Sequence, residues 1–114
     1  MSPHPFRGDH LLLAYEGCEV NLGDEALLDA ALREGIAAAG ATILSRAATR
    51  FEPQGLSIVF LLAESHASIH AYPEHRSAFL DIFTCGTTCD PAKFDQVLRL
   101  RLRPARAVAN LVRR

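Results

Sequence analysis

Leu56-Ser57-Ile58-Val59-Phe60-Leu61-Leu62-Ala63 is the stretch on which the fold turns. It is rich in strand-favouring residues and apolar at nearly every position. A strand with one wet face would alternate, so this pattern predicts a strand covered on both faces. Glu52-Pro53-Gln54-Gly55 supplies a turn before it, and Ala41 to Phe51 reads as the strand that enters that turn. Further upstream, Asp24 to Ala39 is the clearest helix. Leu28, Leu32, Ile36 and Ala39 recur at helical spacing, Asp24 suits an N-cap and Gly40 a C′ position. Asp9 to Tyr15 reads as a first strand, followed by a loop from Gly17 to Gly23.

Downstream, Ser68 to Tyr72 and Ser77 to Thr84 are strand candidates separated by Pro73-Glu74. Asp90-Pro91 opens a second helix with Phe94, Val97, Leu98 and Leu102 inward, and Ala105 to Val112 is a last strand. The class is α+β, one domain over residues 1–114. A single helix layer covers one face of such a sheet. With so little chain left, the other face is predicted to meet a second copy.

Composition excludes several functions. With 49% hydrophobic and 22% charged residues the chain is globular rather than disordered. A net charge of −1 gives no reason to expect a nucleic-acid or membrane partner. Six of the eleven arginines fall at or after Arg99, but no aromatic interleaves with them to stack on bases, so a solvated face is the better reading. Met1-Ser2-Pro3-His4 lacks a signal-peptide pattern, and three cysteines make no disulfide scaffold, so a cytoplasmic protein is expected. The one lysine, Lys93, lies at a helix start and reads as a surface residue, which rules out pyridoxal-phosphate chemistry.

Chemistry concentrates between Glu64 and Cys89, which hold three of the five histidines and two of the three cysteines. One reading is zinc held by His66, His70, Cys85 and Cys89. In extended chain, residues four apart lie about 13 Å from each other, too far for ligands that must meet at roughly 3–4 Å. No metal is therefore expected. A second reading, hydrolysis by Ser65 or Cys85, lacks a Gly-x-Ser-x-Gly elbow. The third is self-processing. The Ser65 hydroxyl attacks the Glu64 carbonyl, the amide becomes an ester, and elimination leaves dehydroalanine, which hydrolyses to a ketone. That route needs a hydroxyl, a base and a strained or polarised peptide. Ser65 and His70 supply the first two.

Glu64-Ser65-His66-Ala67-Ser68-Ile69-His70, Pro73-Glu74 and Phe83-Thr84-Cys85-Gly86 resemble the signature of the bacterial S-adenosylmethionine decarboxylase family. Gly8-x-His10-Leu11-Leu12, Gly40-Ala41-Thr42 and Phe51-x-Pro53-x-Gly55 extend the resemblance over almost the whole chain. It implies cleavage into chains 1–64 and 65–114 that stay associated, with a pyruvoyl group derived from Ser65 as the only cofactor. It implies His70 as processing base, Ser57 as an assisting serine and Cys85 as proton donor. Phe51 and Glu74 match substrate-binding positions, where they stack on adenine and hold the ribose. Tyr15-Glu16-Gly17-Cys18-Glu19 is more loosely similar to an adenine-stacking string, and Tyr72 is a further aromatic suited to a sulfonium cation. Relatives pack two sheets into a four-layer α/β/β/α sandwich, so a homodimer is implied. The activity implied is decarboxylation of S-adenosylmethionine, a small-molecule substrate, to the aminopropyl donor for spermidine.

Some positions depart from the family pattern. Thr49 stands where a histidine is common, Ile58 where a glycine is usual, Ala71-Tyr72 where Thr-Trp is common, and Ala14 where an acid is frequent. An arginine or ornithine decarboxylase of the same family is the alternative these changes suggest, with Ile58 filling the unused adenine slot. A non-enzymatic partner subunit would have lost Ser65, His70 or Cys85, and all three are present. Cys18 and Cys89 are read as structural, and His66 and His75 as turn supports or surface residues.

Overall fold

The structure, a computed structural model, describes residues 6–85 and 87–114. Met1-Ser2-Pro3-His4 and Gly86 of the motif lie outside the described residues. The elements run β1 (Gly8–Glu16), α1 (Glu25–Ala39), β2 (Ile43–Arg50), β3 (Leu56–Leu62), β4 (Ser65–Tyr72), β5 (Ser77–Cys85), α2 (Pro91–Leu102) and β6 (Arg106–Arg113). A short 3-10 turn, Pro73–His75, joins β4 to β5. The strands form one antiparallel sheet in the order β2-β3-β4-β5-β1-β6.

The helices begin and end where their chemistry dictates. The Asp24 side chain accepts from Leu27 N–H, and Asp90 does the same for Ala92 N–H ahead of Pro91. Gly40 closes α1 at φ 87, a left-handed conformation that a side chain would resist. Both helices lie on one face of the sheet and on each other. Gly35 lets them approach: a Cβ there would sit 2.4 Å from Leu98 Cδ2 and 3.0 Å from Phe94 Cδ1. Leu28, Leu32, Ile36, Phe94, Leu98 and Leu102 are buried as the periodicity predicts, while Val97 is only half-buried.

The molecule is 20 Å deep along its shortest axis, the depth of one sheet and one helix layer. Strand parity then decides what is core. Leu11, Leu13 and Tyr15 of β1, Leu56, Ile58 and Phe60 of β3, Ile69 of β4 and Ile82 of β5 face the helices and are buried. The opposite face is open within one chain. Leu12, Leu61, Phe79 and Val108 lie on it, each at least 40% exposed. The expected doubly covered strand is thus covered once, and its second face forms part of an apolar surface of the kind that marks an interaction site.

Two sequence expectations need correction. β4 begins at Ser65 rather than Ser68, because residues 65–67 pair with β3 across a two-residue turn. Ile58 cannot fill a substrate slot: its neighbour Ser57 takes the open face, so Ile58 points into the helix-side core, as does Ala71. The late arginines are surface residues with acidic partners, including Arg101 with Glu34, Arg103 with Glu19 and Arg106 with Glu16.

Candidate active site

The hairpin between β3 and β4 positions the expected cleavage point. Leu62 pairs with Ser65, leaving Ala63-Glu64 as the loop. Ala63 N–H is tied to the Thr42 carbonyl at 3.0 Å, and Glu64 takes φ 62. A left-handed conformation at a non-glycine residue stores roughly 1–3 kcal/mol. It falls on the residue whose carbonyl Ser65 would attack. Next to this tip, β5 places Cys85. The β4–β5 register sets His66 opposite Phe83, so two residues further along β5 brings Cys85 level with the loop. The Cys85 thiol lies 3.5 Å from the Thr87 hydroxyl, and hydrogen bonds from Thr87 and then Thr88 hold it below the usual thiol range.

Between these residues and the middle of the sheet lies a cluster that no single stretch of sequence brings together. Asp81 of β5 accepts from His10 Nε2–H of β1 at 2.7 Å and from His66 Nε2–H of β4 at 2.9 Å, both on Oδ2. Ser68 donates to its other oxygen, Oδ1. Desolvation works to raise the Asp81 carboxyl, but the bonds from Ser68, His10 and His66 outweigh it and hold the group below the usual range. The three candidate ligand atoms lie within 4.8 Å of one another, whereas His66 and His70 sit four residues apart on one strand. The signal was available: 66, 68 and 70 share parity on β4, as do 81, 83 and 85 on β5.

At the far end of the same face, β3–β4 pairing sets Ser57 opposite His70. Ser57 Oγ and His70 Nδ1 share a hydrogen bond of 2.8 Å. Tyr72 lies two residues on, its ring edge-on to Phe79 at 5.8 Å. Glu16, Tyr72, His75 and Phe79 line a depression of about 310 Å³ there. Phe51, Gly55 and Pro73 line another of about 230 Å³, with exposed Glu74 one residue beyond Pro73. A groove of about 380 Å³ lined by Ser68, His70, Asp81 and Asn110 lies over the middle of the sheet.

The expected site therefore divides. Ser57, His70, Phe51, Glu74, Glu16 and Tyr72 gather at one end, and Glu64, Ser65 and Cys85 at the other. Ser65 and His70 are five residues apart on one strand, about 17 Å, and parity turns them to opposite faces. Tyr15 also borders the depression that Glu16 and Tyr72 line, but its side chain points the other way. It is buried under α2 with its hydroxyl donating to Asp95 Oδ1 at 2.5 Å, and burial, then this bond, raises its pKa. Its inward parity on β1 turns the ring that the resemblance assigns to substrate stacking toward the helices.

An open-faced α+β sheet with a thiol at the hairpin end of its uncovered side and a serine–imidazole pair at the other end defines the class: a small enzyme domain. The comparisons with known proteins are more particular. Residues 9–114 match the S-adenosylmethionine decarboxylase family, and the chain belongs to it. An S-adenosylmethionine decarboxylase proenzyme of Prochlorococcus marinus is 43% identical over 96 residues, covering 83% of this chain and 77% of that protein. One from Brevibacillus brevis is 41% identical over 103 residues, covering 90% and 77%. The crystal structure of the adenosylmethionine decarboxylase from Aquifex aeolicus superposes with a TM-score of 0.78 at 31% identity, over 92% of this chain and 88% of that one. No helix among the described residues is long and apolar enough to cross a membrane.

Proposed function

We propose that the chain is an S-adenosylmethionine decarboxylase that cuts itself between Glu64 and Ser65, turns residue 65 into a pyruvoyl group, and works as a homodimer. One observation carries this reading: the expected cleavage point and Cys85 lie at one end of the sheet, and the Ser57–His70 pair with the expected binding residues lies at the other. A two-fold axis between two facing sheets, running across their strands, lays the Ser57–His70 end of each copy over the Ser65–Cys85 end of the other. The apolar surface that the helices leave open is then buried, giving the four-layer sandwich.

The residues fit the group. Ser65 offers the hydroxyl and Glu64 the strained carbonyl. The Ser65 oxygen attacks the Glu64 carbonyl carbon, the C–N bond gives way to an ester, and loss of the Ser65 Cα proton expels the Glu64 carboxylate. Water enters and ammonia leaves. His70 of the second copy, held by Ser57, takes the proton. Once formed, the pyruvoyl group supplies a ketone that draws off the electron pair released with CO₂. Cys85 then holds a proton for the carbon that lost CO₂. Phe51, Tyr72, Glu16 and Glu74 bind substrate from the facing end, with aromatic faces suited to a sulfonium cation.

Two of the departures that suggested arginine or ornithine, Ile58 and Ala71, point into the core and do not touch the open face. The test is an intact-mass measurement followed by CO₂ release from S-adenosylmethionine, arginine and ornithine side by side. Two fragments split before residue 65 and turnover with S-adenosylmethionine alone are expected. A single uncut 12.4 kDa chain would overturn the processing step. Turnover of arginine or ornithine instead would overturn the substrate.

A further inference from the structure

We propose that Asp81 is a positioning residue that clamps His66, and so fixes the backbone end on which residue 65 is carried. The proposal rests on the self-processing reading above and goes beyond it, since that chemistry uses neither Asp81, His66 nor His10.

Cleavage creates a mechanical problem at this point of the fold. In the uncut chain, residue 65 is held from both sides by the 62–65 turn. After the cut, its only covalent tie is the amide to His66, at the very start of a new chain. New termini fray unless something holds them. A carbonyl that must present one face to a substrate amine and to a thiol cannot tolerate that freedom, because small misplacements of reacting atoms cost large factors in rate.

The structure supplies the tie. The His66 side chain reaches Asp81 Oδ2 at 2.9 Å, across from β4 to β5. Asp81 is itself fixed from the far side by His10 of β1 at 2.7 Å and from β4 by Ser68. The network therefore laces three adjacent strands, β4, β5 and β1, rather than a single hairpin. Rings close around it. His66 stacks on Phe83 at 6.0 Å, and His10 meets both Phe83 and His66 edge-on at 5.6 Å. Phe83 is two residues from Cys85 on the same face, so the box that orients residue 66 also stiffens the strand that carries the thiol. The side chains of His10 and Asp81 are 17% and 18% exposed, and a carboxylate this withdrawn from water is stable only while its donors stay in place.

The test compares Asp81→Asn, His66→Ala and His66→Gln in the full-length protein. Gln keeps an N–H that can reach Asp81, and Ala does not. The clamp predicts at least a tenfold fall in kcat for Asp81→Asn and His66→Ala, with KM within threefold of wild type and cleavage still proceeding. His66→Gln recovers most of kcat. Hydrogen exchange reads the clamp directly. Amides 66–69 exchange at least tenfold faster in Asp81→Asn while those of α1 are unchanged. Equal protection of 66–69 in wild type and Asp81→Asn would overturn the proposal whether or not the chain had cleaved. An uncut wild type would count against the self-processing reading alone. A rise in KM with unchanged kcat would make Asp81 a substrate contact instead. Wild-type activity lost on chelation and restored by zinc would make the cluster a metal centre and also overturn the clamp.

Discussion

The two ends of the sheet are unlike in chemistry. The hairpin end holds the strained Glu64, Ser65 and Cys85, with the Asp81 cluster beside them. The far end holds the Ser57–His70 pair and the exposed Phe51, Tyr72, Glu16 and Glu74. In the proposed function one end is attacked and the other binds substrate and takes protons. A strand length of about 23 Å separates Ser65 from Tyr72. In the proposed function neither end is an active site by itself, and the second copy is part of the chemistry rather than an accessory to stability.

That division can be broken most decisively by complementation. Ser65→Ala is expected to remain uncut and inactive, and His70→Ala to cleave at least a hundredfold more slowly. Co-expressed, the two variants should form mixed dimers in which an intact Ser65 of one chain faces an intact His70 of the other. Cleavage of the His70→Ala chain and partial return of CO₂ release are the expected result. No recovery from a verified mixed dimer would mean that both residues act within one chain, and the proposed axis would be wrong.

A smaller effect tests the hairpin end alone. Cys85→Ala should still cleave, while turnover falls about 100-fold or more. As a proton donor the thiol must be protonated, so activity is present below its pKa and lost as pH rises through it. The Thr87 and Thr88 hydrogen bonds lower that pKa, so the basic limb lies at lower pH than an ordinary thiol would give. Thr87→Val removes the largest cause of the lowering and should move the limb upward. A limb that stays in place would detach Cys85 from the rate-determining proton transfer.

Much of this arrangement was legible in the sequence. The strands, both helices and their caps follow from periodicity and from Asp24, Gly40 and Asp90-Pro91. The family resemblance named the residues of both ends. Their separation was not read, because a motif is linear and a strand alternates: Ser65 and His70 look adjacent in sequence yet lie far apart on opposite faces. At Ile58 and Tyr15, too, position in a string does not give the side of the sheet, and both side chains face the helices. The Asp81 cluster is hidden for a different reason. Its donors come from β1 and β4, and only the strand order β4-β5-β1 makes them neighbours.

Tyr15 sharpens the comparison from the covered side of the far end. Removing its hydroxyl in Tyr15→Phe leaves Asp95 bonded to Arg99 at 2.9 Å. A loss of about 1–2 kcal/mol in denaturant unfolding is expected, the worth of a hydrogen bond to a charged acceptor. KM should stay as in wild type, since the ring faces α2. A raised KM with unchanged stability would return Tyr15 to the substrate.

Thr84 does the same from the covered side of the hairpin end, and its expected effect is the smallest. It adjoins Cys85 in the motif, but alternation turns it toward the helices, where it is fully buried and its hydroxyl finds no partner among the described residues. An unpaired buried hydroxyl is a net cost to folding, because the water it gives up is not replaced. Thr84→Val keeps the shape and removes the polar atom, so a gain of about 1 kcal/mol is expected, read as a higher Tm at unchanged cleavage. If Thr84→Val instead destabilises the protein, the hydroxyl has a partner in the assembled dimer, and the covered face at this end takes part in the assembly after all.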